Sequence, residues 1–277
     1  MTEQNCTYVT KEIGKHIEQI PFIRNHAFQL HRLAKEIATC RSGSYKENDF
    51  LGAMTDAFMH KQMAHLKSIC ILVEANQSPD ALIIARSSYE SMALLLWAAH
   101  SPPRINRPRQ WFLYEIKERY CEWIKGKYKD LDLSPEVKKS LTQNVQDYAD
   151  ILLTGKGRKK LLRDKPLEVN DFIIRKLPQF QQILEDESLD GKIDRNAYAL
   201  YKLLSKWPHG APQGIGMVFQ HDGKCLSPDG ITCKYLGGCA LHLGVISLGT
   251  TAILFNDHFK LGFDDRLTEL GKRYSDL

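Results

Sequence analysis

The stretch Pro79–His100, PDALIIARSSYESMALLLWAAH, constrains the fold more than any other part of the chain. Its residues are apolar on nearly every face of a helix, so it belongs inside a bundle rather than on its surface. Arg86 and Glu90 interrupt it one turn apart, and burying ions costs several kcal/mol unless they are paired and hydrogen-bonded. The pair therefore either fixes packing or serves a site. Ser78 is a cap candidate with Pro79 at the first helical position. Pro102 and Pro103 end the run.

Around this stretch, helical periodicity dominates and strand alternation is almost absent. Thr10 to Cys40 reads as helix, with Ile13, Ile17, Ile20, Phe28, Leu33 and Ile37 supplying apolar faces and Pro21 expected to break or kink it. Asn48 or Asp49 caps a second helix from Phe50 to about Ala75, which pairs with the Pro79 helix as an antiparallel hairpin. Arg107-Pro108 opens a helix whose large residues Trp111, Tyr114, Ile116, Tyr120, Trp123 and Ile124 read as core. Ser134-Pro135-Glu136 starts another, running to Leu153, and Asp194 or Arg195 begins one to about Lys206.

The fold class is all-α: a single helical bundle of about seven to nine helices. The main bundle spans residues 8–206. A long Gly/Pro-rich loop follows near 207–238, with room for a short hairpin, and 239–277 forms an apolar helix and a polar tail.

With 277 residues, 26% charged residues and a mean hydropathy of −0.35, the composition is that of an ordinary globular protein. No secretory signal pattern opens the sequence. The Pro79 helix comes nearest to a membrane span, but its two charges argue against that role. Seven cysteines, an odd number, read as free thiols in a reducing compartment. The expectation is a cytoplasmic protein without a membrane segment. A net charge of +5 tolerates a polyanionic partner without requiring one.

Several constellations could carry chemistry. Tyr201 and Ser205 sit one turn apart before Pro208, and His209 follows at a helix C-terminus, where a protonated imidazole is favoured. Arg86, Glu90, Ser205 and His209 are thus one candidate centre, with a purely structural polar network as the alternative. Arg24 and His31 are a second. Seven residues apart, they share a helix face, where arginine can hold a phosphate while histidine moves a proton. Six basic residues between Lys156 and Lys165 form a basic loop in which Lys156, Arg158, Lys159, Lys160 and Arg163 could hold a nucleic-acid backbone. Arg104, Arg107 and Arg109 form a second basic patch. His221, Cys225, Cys233, Cys239 and His242 could ligate zinc by residue type, but their spacing is irregular and no Cys-x-x-Cys knuckle occurs, so they read mainly as buried thiols and loop histidines. No metal site and no cofactor is expected. Nucleophile-elbow, P-loop and dinucleotide fingerprints are missing.

The Ala-x-x-x-Arg-Ser-x-x-Glu pattern of Ala81 to Glu90 and the Tyr-x-x-x-Ser-x-x-x-His pattern of Tyr201 to His209 resemble a family of uncharacterised bacterial all-helical proteins. That family is distantly similar to the HEPN (higher-eukaryote and prokaryote nucleotide-binding) superfamily, whose active members are dimeric, metal-independent ribonucleases of defence and toxin systems. The superfamily's signature, an arginine followed by a polar residue and then a histidine, is matched by Arg24-Asn25 and His31. The resemblance implies an RNA-acting protein, a metal-independent endoribonuclease of phage-defence or toxin type. Its partners would be RNA, an antitoxin or other defence protein, and a second copy in a homodimer. The alternative is a non-enzymatic interaction or small-ligand-binding module.

Overall fold

The computed structural model describes residues 3–41, 48–102, 105–126, 134–173, 176–193, 219–221, 226–228 and 230–275. Ten α-helices lie among them: α1 (Glu3–Cys40), α2 (Phe50–Glu74), α3 (Ser78–Ala99), α4 (Arg107–Ile124), α5 (Pro135–Asp147), α6 (Ala149–Leu152), α7 (Gly155–Leu161), α8 (Phe180–Leu184), α9 (Gly230–Phe259) and α10 (Asp264–Ser275). Among the described residues one antiparallel hairpin pairs β1 (Phe219–His221) with β2 (Leu226–Pro228). The all-α class holds. The chain forms two compact units, Met1–Leu96 with Leu189–Leu277, and Trp97–Ser188.

In the first unit α1, α2 and α9 pack on one another. Their seam is apolar: Ile23, Ala27, Leu30, Ala34 and Ile37 from α1, Met54, Met59, Leu66 and Ile69 from α2, and Leu236, Leu241, Leu248 and Phe255 from α9 are all buried. The helix α1 is continuous through Pro21, contrary to expectation. Pro21 is exposed, so the carbonyl it leaves without an amide donor lies where water can satisfy it. Phe28 is also not core; it is 53% exposed.

Gly230, not Cys239, begins α9. Gly237, which reads as loop, and Gly244 serve as contact points inside the helix. A Cβ on Gly237 would lie 2.7 Å from Ser78 Oγ, and one on Gly244 would lie 2.9 Å from the δ-methyls of Leu66 and Ile69. Residues 234–259 of α9 are long and apolar enough to span a membrane, with mean hydropathy 1.7, but 67% of the most apolar window is buried against protein. The polar tail is a docked helix, α10. Its Leu267 and Leu270 are buried, and Arg266 grips Glu36 of α1 with two bonds of 2.5 and 2.8 Å.

Asp49 caps α2 as expected, accepting from Gly52 N at 2.9 Å. The same carboxylate meets His258 Nε2 at 3.0 Å, which ties the start of α2 to the end of α9. The α2–α3 hairpin is held by Gln62 Nε2 donating to the Ser88 carbonyl at 2.8 Å, by a second bond from Ser88 Oγ to Gln62, and by Lys61 Nζ donating to Ser91 Oγ at 2.8 Å.

The second unit has its own core of Leu113, Ile116, Tyr120, Cys121, Val145, Leu152, Leu153, Leu167 and Phe172. Tyr148, at φ −108°, separates α5 from α6, where one helix to Leu153 was expected. Arg107 does not belong to a surface basic patch. Its guanidinium stacks over Trp97, donates to the Trp97 carbonyl at 3.0 Å and Ser188 Oγ at 2.9 Å, and pairs with Asp186 at 2.5 Å.

Candidate functional site

Arg86 Nε meets Glu90 Oε1 at 3.1 Å, so the ion pair expected on α3 forms. It does not lie deep in the core. The two side chains are 23% and 38% exposed, because Ser88, two residues on, turns about 160° from Arg86 around the helix to face α2. The pair therefore occupies the flank of α3 opposite the α2 contact. Its expected companions Tyr201, Ser205 and His209 lie outside the described residues.

Arg24 and His31 lie two turns apart along the side of α1 that faces α2, without a contact between them. Arg24 Nη1 lies 3.7 Å from Glu74 Oε1, and both side chains are open to solvent. Two turns along, His31 is half-buried. Loss of solvation, then the ammonium groups of Lys67 and Lys35, hold its pKa below the usual histidine value. It is thus a neutral base at neutral pH, next to cations.

Phe28, four residues from Arg24 and three from His31, completes an exposed stripe on α1. On α2 the matching stripe is Lys67, Ile71 and Glu74 at the same spacings, with Ile71 55% exposed. A guanidinium, an aromatic ring, an imidazole and an ammonium thus lie along one open face. Sequence reasoning missed Lys67 and misassigned Phe28. The repeat of spacing in both helices was visible, but which helix faces which was not.

The first part of the segment Lys156–Lys165 is not a loop: Lys156–Leu161 belongs to α7, and a turn follows at 162–164. Thr154 accepts from Gly157 N at 3.2 Å and caps α7. Lys160 is not free to bind a polyanion: its Nζ lies 2.7 Å from Asp171 Oδ2, and that carboxylate is 2% exposed. Arg158 lies 3.6 Å from Asp150 on the surface. Lys156, Arg158, Lys159 and Arg163 remain solvent-facing.

Of the residues that could ligate zinc by type, the side chains of His221, Cys225 and Cys233 lie outside the described residues. Cys239 is buried and bonded to the Tyr235 hydroxyl, with burial raising its thiol to about 11. His242 Nδ1 bonds the Tyr274 hydroxyl instead. No cluster of three metal-ligating side chains forms among the described residues.

One family model, a family of unknown function (DUF5677), matches residues 57–225, more than half of the chain. No curated protein and no solved structure matches. Arg86, Glu90, Lys67 and residues 201–209 fall within the matched stretch. Arg24 and His31 precede it.

Proposed function

The chain belongs to DUF5677, a family of unknown function, and we propose that this member acts on RNA as a metal-independent endoribonuclease, with Arg24 and His31 at its centre. The observation that carries the reading is the open stripe Arg24, Phe28, His31 on α1 beside Lys67 on α2. It combines the groups a single-stranded RNA needs: cations for phosphate, an exposed ring for a base to stack on, and a neutral base.

In this reading His31 takes the proton of a ribose 2′-hydroxyl as that oxygen attacks the neighbouring phosphorus. The new O–P bond forms while the bond to the 5′-oxygen breaks, leaving a 2′,3′-cyclic phosphate. The protonated imidazole returns its proton to the departing 5′-oxygen. Arg24 and Lys67 stabilise the charge on the pentacoordinate phosphate. Glu74 holds Arg24 loosely, at 3.7 Å, so phosphate can displace it. On the second unit, taken by itself, the solvent-facing Lys156, Arg158, Lys159 and Arg163 are the groups that could bind RNA phosphate. By the resemblance to the HEPN superfamily, such an activity would serve phage defence or a toxin system.

The test is incubation of the purified chain with a labelled oligoribonucleotide in EDTA. The expected products end in a 2′,3′-cyclic phosphate, and His31→Ala abolishes them. Intact RNA across salt and pH overturns the proposal. If His31→Ala is silent while His209→Ala or Arg86→Ala, each folded, abolishes cleavage, the activity belongs to the rival centre.

A further inference from the structure

His26 is 7% exposed on α1, yet among the described residues its imidazole makes no hydrogen bond. Its ring nitrogens are not enclosed, so the imidazole presents its hydrogen-bonding capacity to the space beside it. One face of the ring is covered by Tyr274 of α10, at 4.7 Å between centroids. The Tyr274 hydroxyl is already engaged by His242, so it does not satisfy His26.

The imidazole lines a cavity of about 200 Å³ between α1, α9 and α10. The remaining walls are mostly hydrocarbon: Leu30, Val245, Ile246, Ile253, Leu267 and Leu270. Ile253, 47% exposed, stands at its mouth. An apolar cavity of roughly 150 Å³ takes a benzene ring, so this one has room for a single substituted ring. No unpaired charge lies in the wall. Loss of solvation, then the nearby Arg273 guanidinium, keeps the His26 ring neutral, which leaves one ring nitrogen to accept a hydrogen bond and one to donate.

We infer that this cavity is a binding site for a small uncharged aromatic molecule bearing one hydroxyl or N–H, which donates to the His26 imidazole while its ring fills the space between Leu30, Val245, Ile253 and Leu267. The site is separate from the α1–α2 face proposed to act on RNA. His26 points toward α9 and α10, whereas Arg24 and His31 point toward α2. Binding needs no catalysis to be observed.

The probes are p-cresol and p-xylene, which share a shape and differ by a hydroxyl in place of a methyl. Titrated calorimetrically into the full chain, p-cresol binds with one-to-one stoichiometry and about tenfold more tightly than p-xylene. His26→Phe erases that preference. Gly249→Leu supplies a second variant. A Cβ at Gly249 meets only Leu30 Cδ2, at an ordinary 3.8 Å, so the larger side chain enters the cavity without breaking the helix and abolishes binding of both probes. Equal affinity for the two probes in the native chain, no saturable binding of either, or full binding by a folded Gly249→Leu variant overturns the inference.

Discussion

Arg24 on α1 and Glu74 at the end of α2 face each other across the helix pair at 3.7 Å, and Glu74 is the more exposed partner at 66%. A contact this long and this open contributes little to stability. Its effect is to place a carboxylate where a phosphate would sit. Glu74→Gln therefore raises RNA affinity by about threefold without a measurable change in thermal midpoint. Filter binding over a salt series checks it, and unchanged affinity would count against phosphate binding at Arg24.

Lys67 contributes to the depressed pKa of His31. A base of lowered pKa stays deprotonated, and so active, to lower pH than an ordinary histidine. Lys67→Gln removes a repelling cation, so the acidic limb of the cleavage rate moves to higher pH. It also lowers the plateau, because the cation assists the phosphate. A pH–rate profile of both proteins separates the two effects.

His26, His31 and His65 all have pKa values below the ordinary 6.5, in each case chiefly through burial. The unfolded chain then binds protons more readily than the folded one. The stabilisation is complete above the unfolded value and is lost as pH falls through the folded values. Thermal midpoints should drop between about pH 7 and about pH 5, and more gently for His65→Gln than for the native chain. A midpoint that rises on acidification would contradict the burial of these rings.

Gly52 sits in the first turn of α2 beneath the Asp49 cap. A Cβ there would run into the Asp49 carboxylate and lie 2.8 Å from His258 Nε2. Gly52→Ala costs roughly 1 to 3 kcal/mol, as overpacking does elsewhere, despite the better helix propensity of alanine. Chemical denaturation measures it.

In the second unit Arg107 holds the Trp97 carbonyl, Ser188 and Asp186 at once. Arg107→Met keeps the stem and removes every one of these bonds, leaving the Asp186 carboxylate without its cation and held only by Ser188 N and Oγ. The expected loss is about 3 kcal/mol. The double variant Arg107→Met with Asp186→Asn should recover part of it, which a charge pair without structural weight would not do.

Much of the architecture is legible in the sequence. The caps at Asp49 and Ser134, the proline at the start of α3 and the α2–α3 hairpin follow from local chemistry that acts within a few residues. What was not legible depends on long-range partners. Gly237 reads as loop until Val73 of α2 and Ser78 of α3 are seen pressing against it. Lys160 reads as a surface cation until Asp171, eleven residues on, is seen buried beside it. Phe28 reads as core because periodicity identifies an apolar position without saying which flank of the helix is covered. Arg86 and Glu90 were correctly paired but placed too deep, because a helix apolar on most faces still keeps one edge for water. The site on α1 was half visible: the Arg24/His31 spacing could be counted, but Lys67 and Glu74 could not be assigned to it from spacing alone.

The partition of the chain also sets an order of assembly. The first unit draws α1 and α2 from the early sequence and α9 and α10 from the last fifty residues, whereas Trp97–Ser188 is a continuous stretch. During synthesis the middle of the protein can complete its packing while α1 and α2 wait, with Leu66, Ile69 and Ile37 still uncovered. A chain cut short before α9 keeps all of Trp97–Ser188 but leaves those side chains without their cover, the form most exposed to proteases and to aggregation.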